Sequence, residues 1–231
     1  MSARTFKVLI IMVIIVLTLT GCGKVPLKQY YQLNYLPGAI MNRKFDIPYP
    51  IVVRLKEFDI EEAYNRPQIV YRQSPFELRY YVYRVWAVKP AQMITDLVYK
   101  HLLNANMISS VVRRFDEGAK PEYELSGMVE ALEEYDSDEL WFAHVALRIS
   151  LVHTSEGRIV YNKRFDLRKK VLEHDPELVI REMSALVEYA ITQAVQDISI
   201  KLAEETGETE VEKLDTLNRL IPDSLSGGGF R

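Results

Sequence analysis

The chain has 231 residues, enough for one domain of ordinary size with tails, and a formal net charge of −3 at pH 7, which gives it no global electrostatic pull toward nucleic acid or anionic lipid. Its single cysteine excludes a fold held by intramolecular disulfides. Its four histidines, at positions 101, 144, 153 and 174, form no metal-ligand spacing with another ligand and read as strand-surface and helix-end residues.

The N-terminus, MSARTFKVLIIMVIIVLTLTGCGK, sets Arg4 and Lys7 before an apolar core that is too short and wrongly flanked for a membrane-spanning helix, so it reads as an export signal. The core ends in Leu19-Thr20-Gly21-Cys22, which resembles a bacterial lipobox. Residues 1–21 are expected to leave as a lipoprotein signal peptide, with Cys22 diacylated and residues 22–28 forming a lipidated tether. Two or three acyl chains, at about 0.8 kcal/mol per buried methylene, hold a protein on a bilayer without a spanning helix. The residue after Cys22 is Gly23 rather than Asp, which points to the periplasmic face of the outer membrane. That address, with an acidic chain, excludes a nucleic-acid partner.

A short strand is expected over residues 29–34, followed by a loop, and PIVVRLKEFDI reads as one strand from residue 50. QIVYR and FELRYYVYRVWAV form a hairpin around Gln73-Ser74-Pro75. Simple alternation along the second strand puts Leu78, Tyr80, Val82, Arg84 and Trp86 on one face and Glu77, Arg79, Tyr81, Tyr83 and Val85 on the other; with aromatics on both, neither face is expected to be fully open to water. Pro90 suits the first turn of a helix, and Met93, Ile94, Leu97, Val98, His101 and Leu102 recur at helical steps to about residue 105. ISSVVRRF is a strand, and a meander of three follows: YELSGMVEALEEY, LWFAHVALRISLVHT and RIVYNKRFDLRKKV, joined by tight turns at DSDE and SEGR. In the middle one Ala143, Val145, Leu147, Ile149 and Leu151 share a face, with His144, Arg148 and Ser150 opposite. Asp175-Pro176-Glu177 is a helix start, and the apolar stripe from Val179 to Leu202 predicts about eight turns lying across the sheet. Residues 29–205 thus form an α+β domain, a mixed, largely antiparallel sheet with two main helices packed on it; residues 206–231 form a polar flexible tail with at most a short helix over residues 211–220.

Among the chemistry-bearing residues, Glu130, Glu133, Glu134, Asp136, Asp138 and Glu139 cluster near a turn without the alternation of a calcium loop and read as a solvated hairpin tip. The sequence has no Gly-rich phosphate loop, nucleophile elbow or assignable catalytic triad, so it offers no cofactor site and reads as a non-enzyme. The run QIVYRQSPFELRYYVYRVWAVKP has two readings: an ordinary core hairpin, or a partner or subunit interface through Arg72, Arg79, Tyr81, Tyr83 and Arg84.

The lipobox, Tyr31-Gln32-Leu33 soon after it, then RPQIVYR, ELRYYVYRVWAVKP and PAQMITDLV together resemble the ABC-type transport auxiliary lipoprotein family, whose members include PqiC-like lipoproteins associated with Mce transport systems. The resemblance spans about residues 29–203. It implies a sheet and helices like those of the TolB N-terminal domain. It also implies a non-enzymatic docking role in lipid transport between inner and outer membranes, and as partners an Mce-domain protein with its ABC permease and ATPase, and a homo-oligomeric ring. Only the lipidated Cys22 transfers as a functional residue. An alternative reading is an outer-membrane lipoprotein that activates a cell-wall synthase.

Overall fold

The computed structural model describes residues 26–36, 48–113, 120–137, 140–173 and 175–206. The lipobox with Cys22, the turn residues Asp138 and Glu139, His174 and the tail with its expected helix lie outside the described residues. The chain order is β1 (Gln29–Tyr31), β2 (Tyr49–Leu55), β3 (Asp59–Ile60), β4 (Gln68–Ser74), β5 (Glu77–Trp86), α1 (Pro90–Ala105), β6 (Ile108–Val112), β7 (Tyr123–Ser137), β8 (Leu140–His153), β9 (Arg158–Val171) and α2 (Pro176–Thr206). All nine strands among the described residues join one sheet. Two helices on a mixed, largely antiparallel open sheet make the α+β fold expected from the element order.

The long antiparallel meander β7-β8-β9 is the frame. The other edge of β7 is divided among three parallel neighbours: β2 beside Tyr123 to Leu125, β3 beside Met128 and Val129, and β4 beside Glu133 to Tyr135. β6 extends the sheet beyond β2, and β5 then β1 extend it beyond β4. The strand expected from residue 50 is broken in two because Phe58 turns inward. Its N–H is taken at 2.9 Å by Thr95 Oγ1 of α1, and its ring lies where a β-carbon on Gly127 would stand. Gly127 is therefore required by close approach of the ring to the β7 backbone.

Both helices cover the same face of the sheet. Pro90 opens α1, and Asn106, at φ 53°, closes it in the left-handed conformation that a short polar side chain tolerates. Asp175 Oδ1 accepts the Glu177 N–H at 2.8 Å, capping α2 as its sequence implies. The stripe of Val179, Met183, Val187, Ile191, Ala194, Ile198 and Leu202 is buried against Ala143, Val145, Leu147, Ile149 and Leu151 of β8 and Tyr161 and Phe165 of β9. Alternation thus fixes which face of the meander the helices cover.

Candidate functional site

The opposite face of the sheet holds a linked set of charges. Glu133 on β7 stands opposite His144 on β8, with Arg72 on β4 and Asp166 on β9 each diagonal to that pair, two residues along the ladder. Arg72 Nε donates to Glu133 Oε1 at 3.0 Å, and Tyr64 OH donates to Oε2 at 2.7 Å. His144 stands between two carboxylates, with Nδ1 3.0 Å from Glu133 Oε1 and Nε2 2.9 Å from Asp166 Oδ1. Asp166 pairs with Arg164, which also bonds Glu130, and Glu130 pairs with Arg148. Burial pushes the Glu133 carboxyl up, but hydrogen bonds from His144, Arg72 and Tyr64 outweigh it and hold the group below its ordinary range. Asp166 is depressed likewise: burial opposes, and His144 and Arg164 prevail. Burial, reinforced by Glu133, raises the Tyr64 hydroxyl and keeps it a donor.

This corrects the expectation of a solvated acidic tip: Glu133 and Glu134 are 2% and 1% exposed. Antiparallel pairing of β7 with β8 sets Glu133 opposite His144, while Glu134, on the helix side, accepts from Tyr81 OH at 3.0 Å. Likewise His144 is buried rather than on the strand surface, and His101 is buried in α1 rather than exposed at its end, 3.4 Å from Tyr35 OH. The charged residues of this cluster neutralise one another on rigid strands, an arrangement suited to clamping four strands together. Among the described residues no group of three or more His, Cys, Asp or Glu is placed to hold a metal.

The five residues singled out in the aromatic run separate. Arg72 is inside the charge cluster. Tyr81 stacks on Tyr71, with centroids 4.5 Å apart, and Arg84 lies 4.4 Å over the Tyr81 ring. That last contact corrects the face assignment. Between Gln68↔Val85 and Val70↔Tyr80, β4 advances two residues and β5 five, so the irregularity breaks the alternation and brings Arg84 to the Tyr81 side. Arg79 pairs with Glu77 at the surface, and Tyr83 is 41% exposed. Tyr80 and Val82, at 37% and 68%, are exposed too, so the middle of β5 is more open than expected, and only Val85 and Trp86 are buried. β1 pairs with Arg84 to Trp86 alone, so among the described residues the outer edge of β5 over residues 77–83 has no strand neighbour.

The sequence does not single out His144 and Asp166 as partners of Glu133, because strand pairing, not local sequence, assembles them. Counting outward from the β7-β8 turn would have paired Glu133 with His144. Nothing local announced Tyr64, which a loop brings in.

The fold is similar to that of protein XCC0632 from Xanthomonas campestris, at TM-score 0.68 and 19% identity over 78% of this chain and 99% of that one. A second crystal structure, of an uncharacterized protein, is similar at TM-score 0.56 and 15% identity over 75% and 99%. No curated protein matches the chain. The model of the ABC-type transport auxiliary lipoprotein component family matches residues 31–196, from β1 to well inside α2, and the chain belongs to that family.

Proposed function

We propose that this auxiliary lipoprotein of an ABC-type transport system is held through Cys22 on the periplasmic face of the outer membrane, where it docks an Mce-domain protein that spans from an inner-membrane permease and ATPase and moves lipid. Family membership supports the transport role. The observation that carries docking is β5, whose outer edge over residues 77–83 is unpaired among the described residues and flanked by exposed Arg79, Tyr80, Val82 and Tyr83. An open edge beside aromatic and arginine side chains suits addition of a partner strand, with main-chain bonds giving affinity and the side chains specificity. A second copy could use the same edge to build a ring. The role needs no covalent chemistry.

A photo-cross-linking residue at Tyr83 or Arg79, in the lipidated protein in cells, tests this. Both positions are better probes than Tyr81, which is tied to Glu134. Capture of an Mce-domain protein is the expected result, and cross-links confined to the protomer would return β5 to a purely structural role.

A further inference from the structure

The strand directions put several exposed apolar side chains at one end of the sheet. Ser74 pairs with Glu77, Ser137 with Leu140, and Trp141 with Val171, so the β4-β5 turn, the start of β8 and the end of β9 all lie at that end. There Phe76 is 98% exposed, Leu172 87% and Leu140 37%. The charges around them are of both signs, Glu77, Asp136 and Glu173 with Arg79, Lys169 and Lys170. Large apolar side chains at two separate tips, with no net charge field between them, fit an interface where water gives way to hydrocarbon.

The path of the tether selects the occupant. β1 runs parallel to β5 with Gln29 opposite Arg84, so the chain enters β1 from the side of the β4-β5 turn. Arg84 is seven residues from Glu77 at the top of β5, and Cys22 is seven residues before Gln29. A tether of that length spans at most about 23 Å, just enough to bring Cys22 level with the turn. Tyr123 and His153, at the opposite end of the sheet, are beyond its reach: they lie about eight ladder steps, or about 26 Å, below Gln29 and three and four strands aside.

We propose that the end of the sheet carrying Phe76, Leu140 and Leu172 rests on the bilayer that holds the anchor, with Phe76 and Leu172 entering the headgroup layer. The contact orients the domain so that its strands stand on the membrane and the end at Tyr123 and His153 faces away. This inference rests on acylation of Cys22.

Because Cys22 is the only cysteine and is consumed by acylation, single cysteines introduced as Phe76→Cys, Leu172→Cys and Ser155→Cys can be labelled with a polarity-sensitive fluorophore in the full lipidated protein. The protein is reconstituted in phosphatidylethanolamine/phosphatidylglycerol vesicles containing a lipid-borne quencher. Quenching several-fold stronger at the first two positions than at Ser155, with a blue shift, is the expected result. Equal, weak quenching on protein that co-floats with the vesicles overturns the contact and leaves the anchor standing. Blue-shifted labels without lipid quenching would put a second protein there and also overturn it. If Cys22→Ala floats as fully as the parent, the anchor reading fails, while quenching at the tips would still support the contact.

Discussion

Glu133 accepts hydrogen bonds from Arg72 and Tyr64 and stands against His144, so three strands and a loop converge on one carboxylate. Glu133→Ala takes the carboxylate from the half-buried Arg72 and the hydrogen-bond acceptor from the Tyr64 hydroxyl, and is expected to cost about 3–5 kcal/mol, with Glu133→Gln nearer 1–3, both read as a lowered urea midpoint at unchanged slope. His101 makes stability depend on pH in a different window. Burial lowers it from 6.5 to about 4. Below 6.5 the unfolded chain binds a proton that the folded chain refuses. Stability is therefore expected to fall as pH drops from 6.5 toward 4, by at most about 3 kcal/mol. Glu133 and Asp166 act lower, because depressed groups contribute stability above their ordinary values of 4.5 and 3.8 and lose it as pH falls through the folded values. Urea titrations of the parent and His101→Gln at pH 6.5 and 4.5 separate the two: the variant should lose less between them, and equal losses would remove His101 from the account.

Gly127 carries the point at which the first long strand breaks. Gly127→Ala drives a β-carbon into the Phe58 ring, and an overpacked core costs about 1–3 kcal/mol. Phe58→Leu in the same chain should recover part of that, so thermal melts of the two single variants and the double should be clearly non-additive. The elements differ in how much of them the sequence disclosed. α2 was legible end to end, because Asp175-Pro176-Glu177 caps it and its stripe repeats at helical steps. β8 was legible because its alternation is unbroken over the helix face. β5 was legible as a strand but not in its faces, since alternation holds only until a bulge and the bulge is set by pairing with β4. The break after Leu55 and the burial of Glu133 escaped for a related reason: each depends on a residue more than 60 positions away, Gly127 or Arg72.

At the scale of the whole molecule, attachment and folding are separable. Cys22→Ala removes the proposed acylation site but touches no described contact, so the variant should move from the membrane to the soluble fraction with an unchanged melting temperature. Retention in the membrane fraction would show that something other than the thioether holds the protein there. The division of one β7 edge among β2, β3 and β4 also bears on how the chain acquires its structure. A chain delivered N-terminus first presents these three strands well before the residues that pair with them. Until β7 arrives, β4 has only its hairpin partner β5 and β3 has none, and the entropy of closing those long loops must be met before the pairing is gained. Folding is accordingly expected to wait for the second half of the chain and then to proceed in one cooperative step. A fragment ending before Tyr123 should expose amides throughout to rapid hydrogen exchange, which makes the meander, the last part of the sheet to arrive, the nucleus on which the earlier strands are laid.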